Sequence, residues 1–440
     1  MGNLSRGVNA IGSVGYDTGP RYGLVFSALI SLVLSQASVA QNSEAPNIIL
    51  IVADYMGYAD IEPYGAKDIR TPALKSLADA GTRFTSFYSA APKCVPARAA
   101  LLSGKYPSKV LSKLTPFSKS QGLRARDNIL VAQLKAGGYN TAMIGKWHLG
   151  SGKNFKPTDH GFDSFLGFDD WTLGYHNHLT SNGEPGLLRD GMLVNETGYL
   201  TELFSDEAVR VINSSDSPFF IYLSYNTGLP PYQRPNMPES EWDSGWDVNE
   251  ASRADYVAMV ESMDSSIARV LHTLQQRQIE ENTLVIFTYD HGGRHLVDAG
   301  PLFHGFGTLW EGGIRVPMIM RWPNKVASSK TASTPAIAMD LTATMLFAAG
   351  RKIPNGSLDG INLLPLSNAS AQASHRSFFW RSGKMKAVRH VQWKYIIDGH
   401  TQLLFDLDSD IGERRNVFAE YQPIATQLRG KLADWEASLD

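Results

Sequence analysis

The chain has 440 residues, of which 43% are hydrophobic and 19% charged, and its formal net charge is -2. This composition is typical of a globular protein and excludes disordered, collagen-like and coiled-coil chains. A near-neutral charge argues against nucleic acid or a membrane surface as the main partner. Because Cys94 is the only cysteine, an intramolecular disulfide is also excluded.

The N-terminal segment has the pattern of an export signal. Arg21 precedes an apolar run from Tyr22 to Leu34, and the small residues Ser38 and Ala40 follow. About a dozen apolar residues are too few to span a bilayer, and small residues at these positions fit signal peptidase. We therefore predict that residues 1–40 are a signal peptide cleaved after Ala40, and that the mature protein is soluble and exported, either periplasmic or secreted.

Continuous apolar runs alternate with helical patterns along the chain. The predicted strands are 47–54, 219–226 and 284–290, with a weaker fourth over 141–144. Thr71 and Pro72 predict the start of a helix that stops at Gly81, and an apolar stripe predicts a longer helix from Ala254 to Gln275. This alternation predicts an α/β fold with a large, mostly parallel sheet covered by helices on both faces.

Three of these strands end at a polar residue, namely Asp54, Asn226 and Asp290. In open α/β sheets, ligands bind outside the carboxyl ends of the strands. A single aspartate at a strand end is more often a turn residue or a helix cap. Two strands that end in aspartate, the second followed by His291, instead fit a shared site for calcium or magnesium.

The segment from Ala91 to Gly104 is the most informative part of the chain. Pro96 suits a first helical turn, helix-forming residues follow, and Gly104 fits the helix end. Cys94 then lies at a helix N-terminus, where backbone N–H groups and the helix dipole stabilise anions. Arg98, one turn further on, can point to the same place. We interpret Cys94 as a reactive group at an anion pocket, with a small buried hydrophobic residue as the alternative.

Cys94-Val-Pro96-Ala-Arg98 resembles the Cys-x-Pro-x-Arg signature of the type I, formylglycine-dependent sulfatases. Other blocks resemble that family in the same order and at the expected spacing: 53–58, 71–74, 145–150, 160–163, 290–292, 307–317, 387–395 and 404–408. The resemblance implies an alkaline phosphatase-like α/β fold with a catalytic domain over residues 45–350. It also implies a small C-terminal α+β subdomain with an antiparallel sheet over residues 375–440.

The resemblance also implies a role for each matching residue. Cys94, oxidised to formylglycine by a formylglycine-generating or sulfatase-maturating enzyme, would be the nucleophile, and Arg98 would orient it. Lys146 would contact the sulfate, and His148 would hydrogen-bond the nucleophile and help sulfate to leave. The metal ligands would be Asp54, Cys94, Asp290 and His291, and the metal would be calcium, with magnesium as the alternative.

Three positions depart from the family pattern. Tyr55 replaces a second aspartate, Leu229 replaces a histidine near the leaving group, and Phe306 replaces a sulfate-binding lysine. In one interpretation the enzyme works with groups from loops, and the available side chains are His176, His178, Arg294, His295 and His304. We predict that His176, His178 and Arg294 bind substrate together with Lys146.

The function predicted from these observations is hydrolysis of a sulfate ester on a sulfated carbohydrate. Two alternatives remain open: a catalytically degenerate homologue that binds sulfated glycans, and a phosphodiester or phosphonate monoester hydrolase. Aromatic residues in loop-like stretches can stack on sugars or simply pack, and these are Trp171, Tyr175, Trp242, Trp246 and Trp310.

Overall fold

The computed structural model describes residues 45–111, 122–368 and 376–439. The predicted signal peptide therefore lies outside the described residues. None of the described helices is both long enough and apolar enough to cross a membrane.

Sixteen strands and ten α-helices form in the described residues. The strands are β1 (Asn47–Ala53), β2 (Thr82–Phe84), β3 (Phe87–Tyr88), β4 (Asn140–Lys146), β5 (Ser164–Phe168), β6 (Leu188–Arg189), β7 (Met192–Leu193), β8 (Phe219–Ser224), β9 (Thr283–Tyr289), β10 (Met318–Arg321), β11 (Lys330–Ala332), β12 (Ala336–Ile337), β13 (Ser377–Ser382), β14 (Met385–His390), β15 (Trp393–Asp398) and β16 (Thr401–Asp406). The helices are α1 (Pro72–Asp79), α2 (Cys94–Ser103), α3 (Pro107–Val110), α4 (Ile129–Ala136), α5 (Leu200–Ser214), α6 (Arg253–Gln276), α7 (Glu311–Ile314), α8 (Met339–Ala348), α9 (Leu364–Asn368) and α10 (Gln422–Ala437).

A ten-stranded sheet in the order β11-β2-β10-β9-β1-β8-β4-β5-β6-β7 forms the centre of the fold. Strands β9, β1, β8, β4 and β5 are parallel to one another, and the flanking β10, β6 and β7 pair antiparallel. Every residue of β8 and β9 is buried. Because successive side chains point to opposite faces of a sheet, both faces are covered, and the predicted mostly parallel sheet is confirmed.

The predicted C-terminal antiparallel sheet is also present. Strands β13 to β16 pair in sequence order, and α10 packs against β14 and β15. The indole Nε1 of Trp380 in β13 donates to the Ser89 carbonyl oxygen at 2.8 Å. The C-terminal sheet therefore contacts the segment just before α2. The exact boundary between the two predicted domains stays a prediction.

Candidate active site

The parallel strands bring the predicted site residues to one edge of the sheet. Asp54 directly follows β1, Asp290 directly follows β9, and Lys146 is the last residue of β4. The carboxyl ends of parallel neighbours lie at the same edge, so these side chains converge.

Helix α2 places two further predicted catalytic side chains, those of Cys94 and Arg98. It begins at Cys94 and ends at Ser103, and the next residue, Gly104, has a φ of 67°, the left-handed conformation that suits glycine. The predicted helix and the position of Cys94 at its first turn are confirmed. Arg98 lies one turn further along and is completely buried.

Arg98 holds the two strand-end carboxylates in place. Its Nε donates to Asp290 Oδ2 at 3.0 Å, and its Nη2 donates to Asp54 Oδ2 at 2.9 Å. Its Nη1 donates to Ser224 Oγ at 2.6 Å and to the Lys146 carbonyl oxygen at 3.0 Å. One planar guanidinium therefore connects the ends of β1, β4, β8 and β9.

The donor atoms that Arg98 does not hold converge on one another. His291 Nε2 lies 3.7 Å from Asp54 Oδ1, 3.6 Å from Asp290 Oδ1 and 3.0 Å from Cys94 Sγ. All four ligand atoms lie within 4.8 Å of one another. His291 Nδ1 lies 3.0 Å from the Gly292 carbonyl oxygen; with the proton on Nδ1, this contact leaves Nε2 as an acceptor or ligand. This donor set fits a divalent cation.

Buried charges shift the pKa values of these groups in different directions. Burial raises the pKa of Asp290, and the Asp54 carboxylate raises it further. At Asp54 the effect of burial is outweighed by the charges of Lys146 and Arg98, which lower its pKa. Burial opposes charging of His291, but without a bound cation Asp290 and Cys94 outweigh it and raise the pKa to about 10. A cation bound at Nε2 would take the place of this proton.

Lys146 and His148 lie beside the Cys94 thiol. Lys146 Nζ is 2.5 Å from Asp54 Oδ2 and 3.6 Å from Cys94 Sγ. Burial and the charges of Lys146 and Arg98 lower the pKa of His148 well below its usual range, so its imidazole is neutral. The site therefore offers a fixed ammonium next to Sγ and a neutral imidazole nearby.

Tyr55 and Phe306 lie next to this cluster. Their ring centroids are 5.0 Å apart, and the Phe306 ring lies 5.0 Å from that of His291. The backbone of Tyr55 has a φ of 58°, an unfavourable conformation for a bulky residue that is found mainly where the surroundings enforce it. Burial raises the pKa of Tyr55 to about 12, partly offset by the charge of Arg294.

A cavity of about 610 Å³ opens above Cys94. Of its lining residues, Lys146 and His148 are buried, Cys94 and Trp246 are partly buried, and Trp171, Asp247 and His295 are exposed. Apolar and aromatic side chains form the remaining wall: Tyr55, Leu229, Pro230, Tyr232, Val248 and Phe306. The two aromatic replacements therefore line the cavity without filling it.

Other predicted substrate-binding residues lie outside this cavity lining. His176 Nε2 lies 3.0 Å from the Arg234 carbonyl oxygen, and its ring stacks on Trp242. His178 Nε2 lies 3.0 Å from the Gly198 carbonyl oxygen. Arg294 is exposed and affects the cavity residue Tyr55 only through its charge. Substrate binding by these three residues stays a prediction.

Some site residues were not singled out from the sequence. Ser224 and Tyr222 of β8 both contact Arg98, and a polar residue at a strand end could have indicated Ser224. Tyr232 and Val248 line the cavity from the loop that follows β8. No local pattern distinguishes them from other residues of a long loop.

Comparison with known proteins identifies the family of this chain. Residues 46–351 match the sulfatase family model, and residues 304–438 match the C-terminal model of N-sulphoglucosamine sulphohydrolase. The chain is 33% identical over 399 residues to N-acetylgalactosamine-6-sulfatase of Canis lupus familiaris, covering 82% of this chain and 74% of that protein. It is 30% identical over 476 residues to arylsulfatase A of Homo sapiens, covering 93% of this chain and 91% of that protein.

A solved structure shares the fold at similar identity. The crystal structure of Ps i-CgsB in complex with k-i-k-neocarrahexaose superposes with a TM-score of 0.82 at 31% identity, covering 89% of this chain and 93% of that chain. The family model covers well over half of the chain, and both relatives are at least 30% identical over most of it. The chain therefore belongs to the sulfatase family, and its fold is alkaline phosphatase-like.

Proposed function

We propose that this protein hydrolyses a sulfate ester of a sulfated carbohydrate at residue 94. The observation that carries the proposal is the convergence of Cys94 Sγ, Lys146 Nζ and three potential metal ligands at the closed end of one cavity. The names of the relatives support the substrate class, because one is an N-acetylgalactosamine-6-sulfatase and one structure holds a neocarrahexaose.

We further propose that residue 94 acts as formylglycine and that Asp54, Asp290, His291 and residue 94 hold a divalent cation, calcium or magnesium. The formylglycine supplies a nucleophilic oxygen, and the cation supplies positive charge against the sulfuryl oxygens. Two carboxylates among the donors favour a hard cation over a thiolate-seeking metal.

The chain's own side chains orient and neutralise the sulfate group. Lys146 Nζ, 3.6 Å from Cys94 Sγ, is placed to bind an anionic oxygen beside residue 94. Arg98 holds Oδ2 of both aspartates, which keeps each Oδ1 directed at the ligand cluster. The neutral imidazole of His148 can accept or return a proton at the buried end of the cavity.

A second candidate function is binding of sulfated glycans without turnover. It is favoured by the rings of Tyr55 and Phe306, which occupy the surroundings of His291 where the family usually places a carboxylate and a lysine. Fewer ligand charges weaken calcium binding, and loss of a fixed cation slows the chemical step.

Side-by-side assays separate these functions. Protein produced with the maturation machinery would be tested on a sulfated oligosaccharide, an aryl sulfate and a phosphate diester, with Cys94→Ala and its neighbour Val95→Ala as a matched pair. We expect sulfate release by the wild type and Val95→Ala, and none by Cys94→Ala. Binding without release by fully converted protein would support the second candidate, and faster cleavage of the diester would contradict sulfate ester specificity.

We propose that maturation and export precede this activity. Arg98 is completely buried, so an enzyme that recognises residues 94–98 as an extended segment must act before the chain folds. The predicted signal peptide implies a mature N-terminus at Gln41. N-terminal sequencing of protein recovered from the exported fraction tests this, and an intact Met1 there would contradict it.

A further inference from the structure

Two tryptophans meet edge to face in the cavity lining. Trp171 and Trp246 both line the cavity, together with Cys94 and Lys146. Their ring centroids are 6.5 Å apart with an interplanar angle of 64°. Trp171 keeps 36% of its surface exposed, so its ring has room for a ligand. We call Trp171 and Trp246 the aromatic clamp.

Both loops that carry the clamp are fixed to the same segment of the cavity wall. Thr172 Oγ1 donates to the Pro230 carbonyl oxygen at 2.6 Å, next to Trp171. On the other side, the Tyr232 N–H donates to the Gly245 carbonyl oxygen at 2.8 Å, next to Trp246. Gly245 has a φ of 82°, and a Cβ there would lie 2.9 Å from the Tyr232 backbone. The rings are therefore held in place before a ligand arrives, which lowers the entropy cost of binding.

Apolar side chains line the same cavity as the aromatic clamp. Leu229, Pro230 and Val248 are among them and have no side-chain hydrogen-bond donors. Among the described residues that line the cavity, Lys146 is the only lysine or arginine. Asp247 places an acidic side chain in the lining. One anionic group can meet Lys146. A second would meet apolar surface, Asp247 or His295, none of which is a lysine or arginine.

We propose that the aromatic clamp stacks on the apolar face of the substrate ring, and that the cavity selects a neutral ring bearing a single sulfate. The inference rests on the proposed sulfate ester hydrolysis and names its substrate more closely. A sugar or aryl ring presents C–H or π surface to an aromatic face, and apolar pockets with a few placed polar groups recognise such ligands. Trp171 and Trp246 are then residues that determine specificity.

The test compares Trp171→Ala and Trp246→Ala with the conservative Trp171→Phe and with Phe347→Ala, which removes an exposed aromatic ring outside the cavity. Kinetics would be measured on a monosulfated monosaccharide and on its disulfated counterpart, with inorganic sulfate as a competitor that has no ring. Loss of stacking surface should raise KM for the monosulfated sugar roughly fivefold to tenfold. We expect kcat and the inhibition constant of sulfate to stay within about twofold in all variants, as a loss of ring contact alone predicts.

Several results would overturn the inference. An unchanged KM in both alanine variants excludes stacking. Equal weakening of sulfate binding and sugar binding indicates a collapsed site rather than a lost ring contact. A disulfated ring that is cleaved as efficiently as the monosulfated ring contradicts selection of a neutral ring. If the wild type releases no sulfate from any ester, the proposed function fails. Quenching of tryptophan fluorescence by the monosulfated sugar, lost in the alanine variants, then still tests the aromatic clamp.

Discussion

At the scale of single residues, Arg98 connects the sequence signature to the geometry of the site. Its guanidinium reaches Asp54, Asp290, Ser224 and the Lys146 carbonyl oxygen at once. Such a planar set of donors cannot be reproduced by the single ammonium of lysine. Both carboxylates are buried, so a carboxylate that the lysine ammonium does not reach loses its charged hydrogen-bond partner.

Arg98→Lys should therefore lower both stability and activity. We expect a loss of about 3 kcal/mol in the free energy of unfolding and a fall in kcat of at least about a hundredfold. Urea unfolding and sulfate release would measure the two effects. Arg389→Lys is the control, because Arg389 is buried in β14, away from the cavity lining. It should reduce stability with kcat unchanged, and Arg98→Lys with wild-type kcat would contradict the role of Arg98.

We expect Leu229 to determine which leaving groups can be released if the proposed sulfate ester hydrolysis holds. It lines the cavity where the family usually has a histidine, and its side chain cannot donate a proton. Leu229→His should raise kcat/KM about a hundredfold for an alkyl or sugar sulfate, and hardly change it for a nitrophenyl sulfate, which needs no acid. Leu229→Gln supplies polarity without an acid. The same gain in both variants, or a gain on nitrophenyl sulfate alone, would contradict proton donation at this position.

At the scale of elements, helix α1 is capped from another helix. The sequence predicts Thr71 as the capping residue, and α1 does begin at Pro72, but the Thr71 side chain makes no cap hydrogen bond. It accepts instead from the Glu62 N–H at 2.8 Å. Asp264 of α6 accepts from the N–H groups of Ala73 and Leu74, both at 2.9 Å.

Asp264→Ala should therefore destabilise the protein while leaving its kinetics intact. Two buried N–H groups lose their acceptor, and we expect a loss of about 2 kcal/mol in the free energy of unfolding. Asp264→Asn keeps one acceptor oxygen, so its free energy of unfolding should lie between those of the wild type and Asp264→Ala. Thermal unfolding and KM measured on the same samples provide the test, and wild-type stability in Asp264→Ala would show that α1 needs no cap from α6.

These elements show how far local sequence patterns can be trusted. The bounds of α2 and α6 follow from proline, glycine and apolar spacing, which act within a few residues. The weak strand prediction over 141–144 is confirmed and extends to Asn140–Lys146. The cap supplied by Asp264, 190 residues from Leu74, depends on which helices pack together. Local sequence cannot show that packing.

At the scale of the whole molecule, the C-terminal sheet is joined to the rest by buried charges. Lys394 Nζ lies 2.7 Å from Glu311 Oε1 and 2.8 Å from Glu413 Oε1. Glu311 is also paired with Arg315 and faces Arg389. Burial raises the pKa of Glu413 to about 7, with Glu311 raising it and Lys394 opposing.

This shift makes stability depend on pH in a defined direction. Because the folded protein holds the Glu413 proton more tightly than the unfolded chain, stability from this group is full below its ordinary pKa of 4.5 and is lost as the pH rises towards 7. Glu413→Gln should remove this dependence, a change on the order of 3 kcal/mol across the window. This prediction is tested by measuring the free energy of unfolding at several pH values, with Glu420→Gln, a change at an exposed residue, as the control. Parallel wild-type and Glu413→Gln profiles would contradict the shift.

The overall architecture and the convergence of Asp54, Cys94 and Asp290 could be predicted from the sequence, because strand ends and the Cys94 segment are local patterns. The sequence indicates Trp171 and Trp246 as aromatic residues that can stack on sugars, but it cannot show that they meet Tyr232 in one cavity wall, since two long loops must first attach to one segment. The positions of His176 and His178 could not be predicted from the sequence either. Each of them lies close to a backbone carbonyl oxygen and outside the cavity lining.

The most direct test of the central claim relates sulfate release to the chemical state of residue 94. Samples with different degrees of conversion would be prepared, the aldehyde fraction measured by mass spectrometry of the peptide that contains residue 94, and specific activity recorded for each. We expect activity proportional to the aldehyde fraction and zero for the free thiol. Equal activity in converted and unconverted protein, or none at full conversion with calcium or magnesium supplied, would contradict the account.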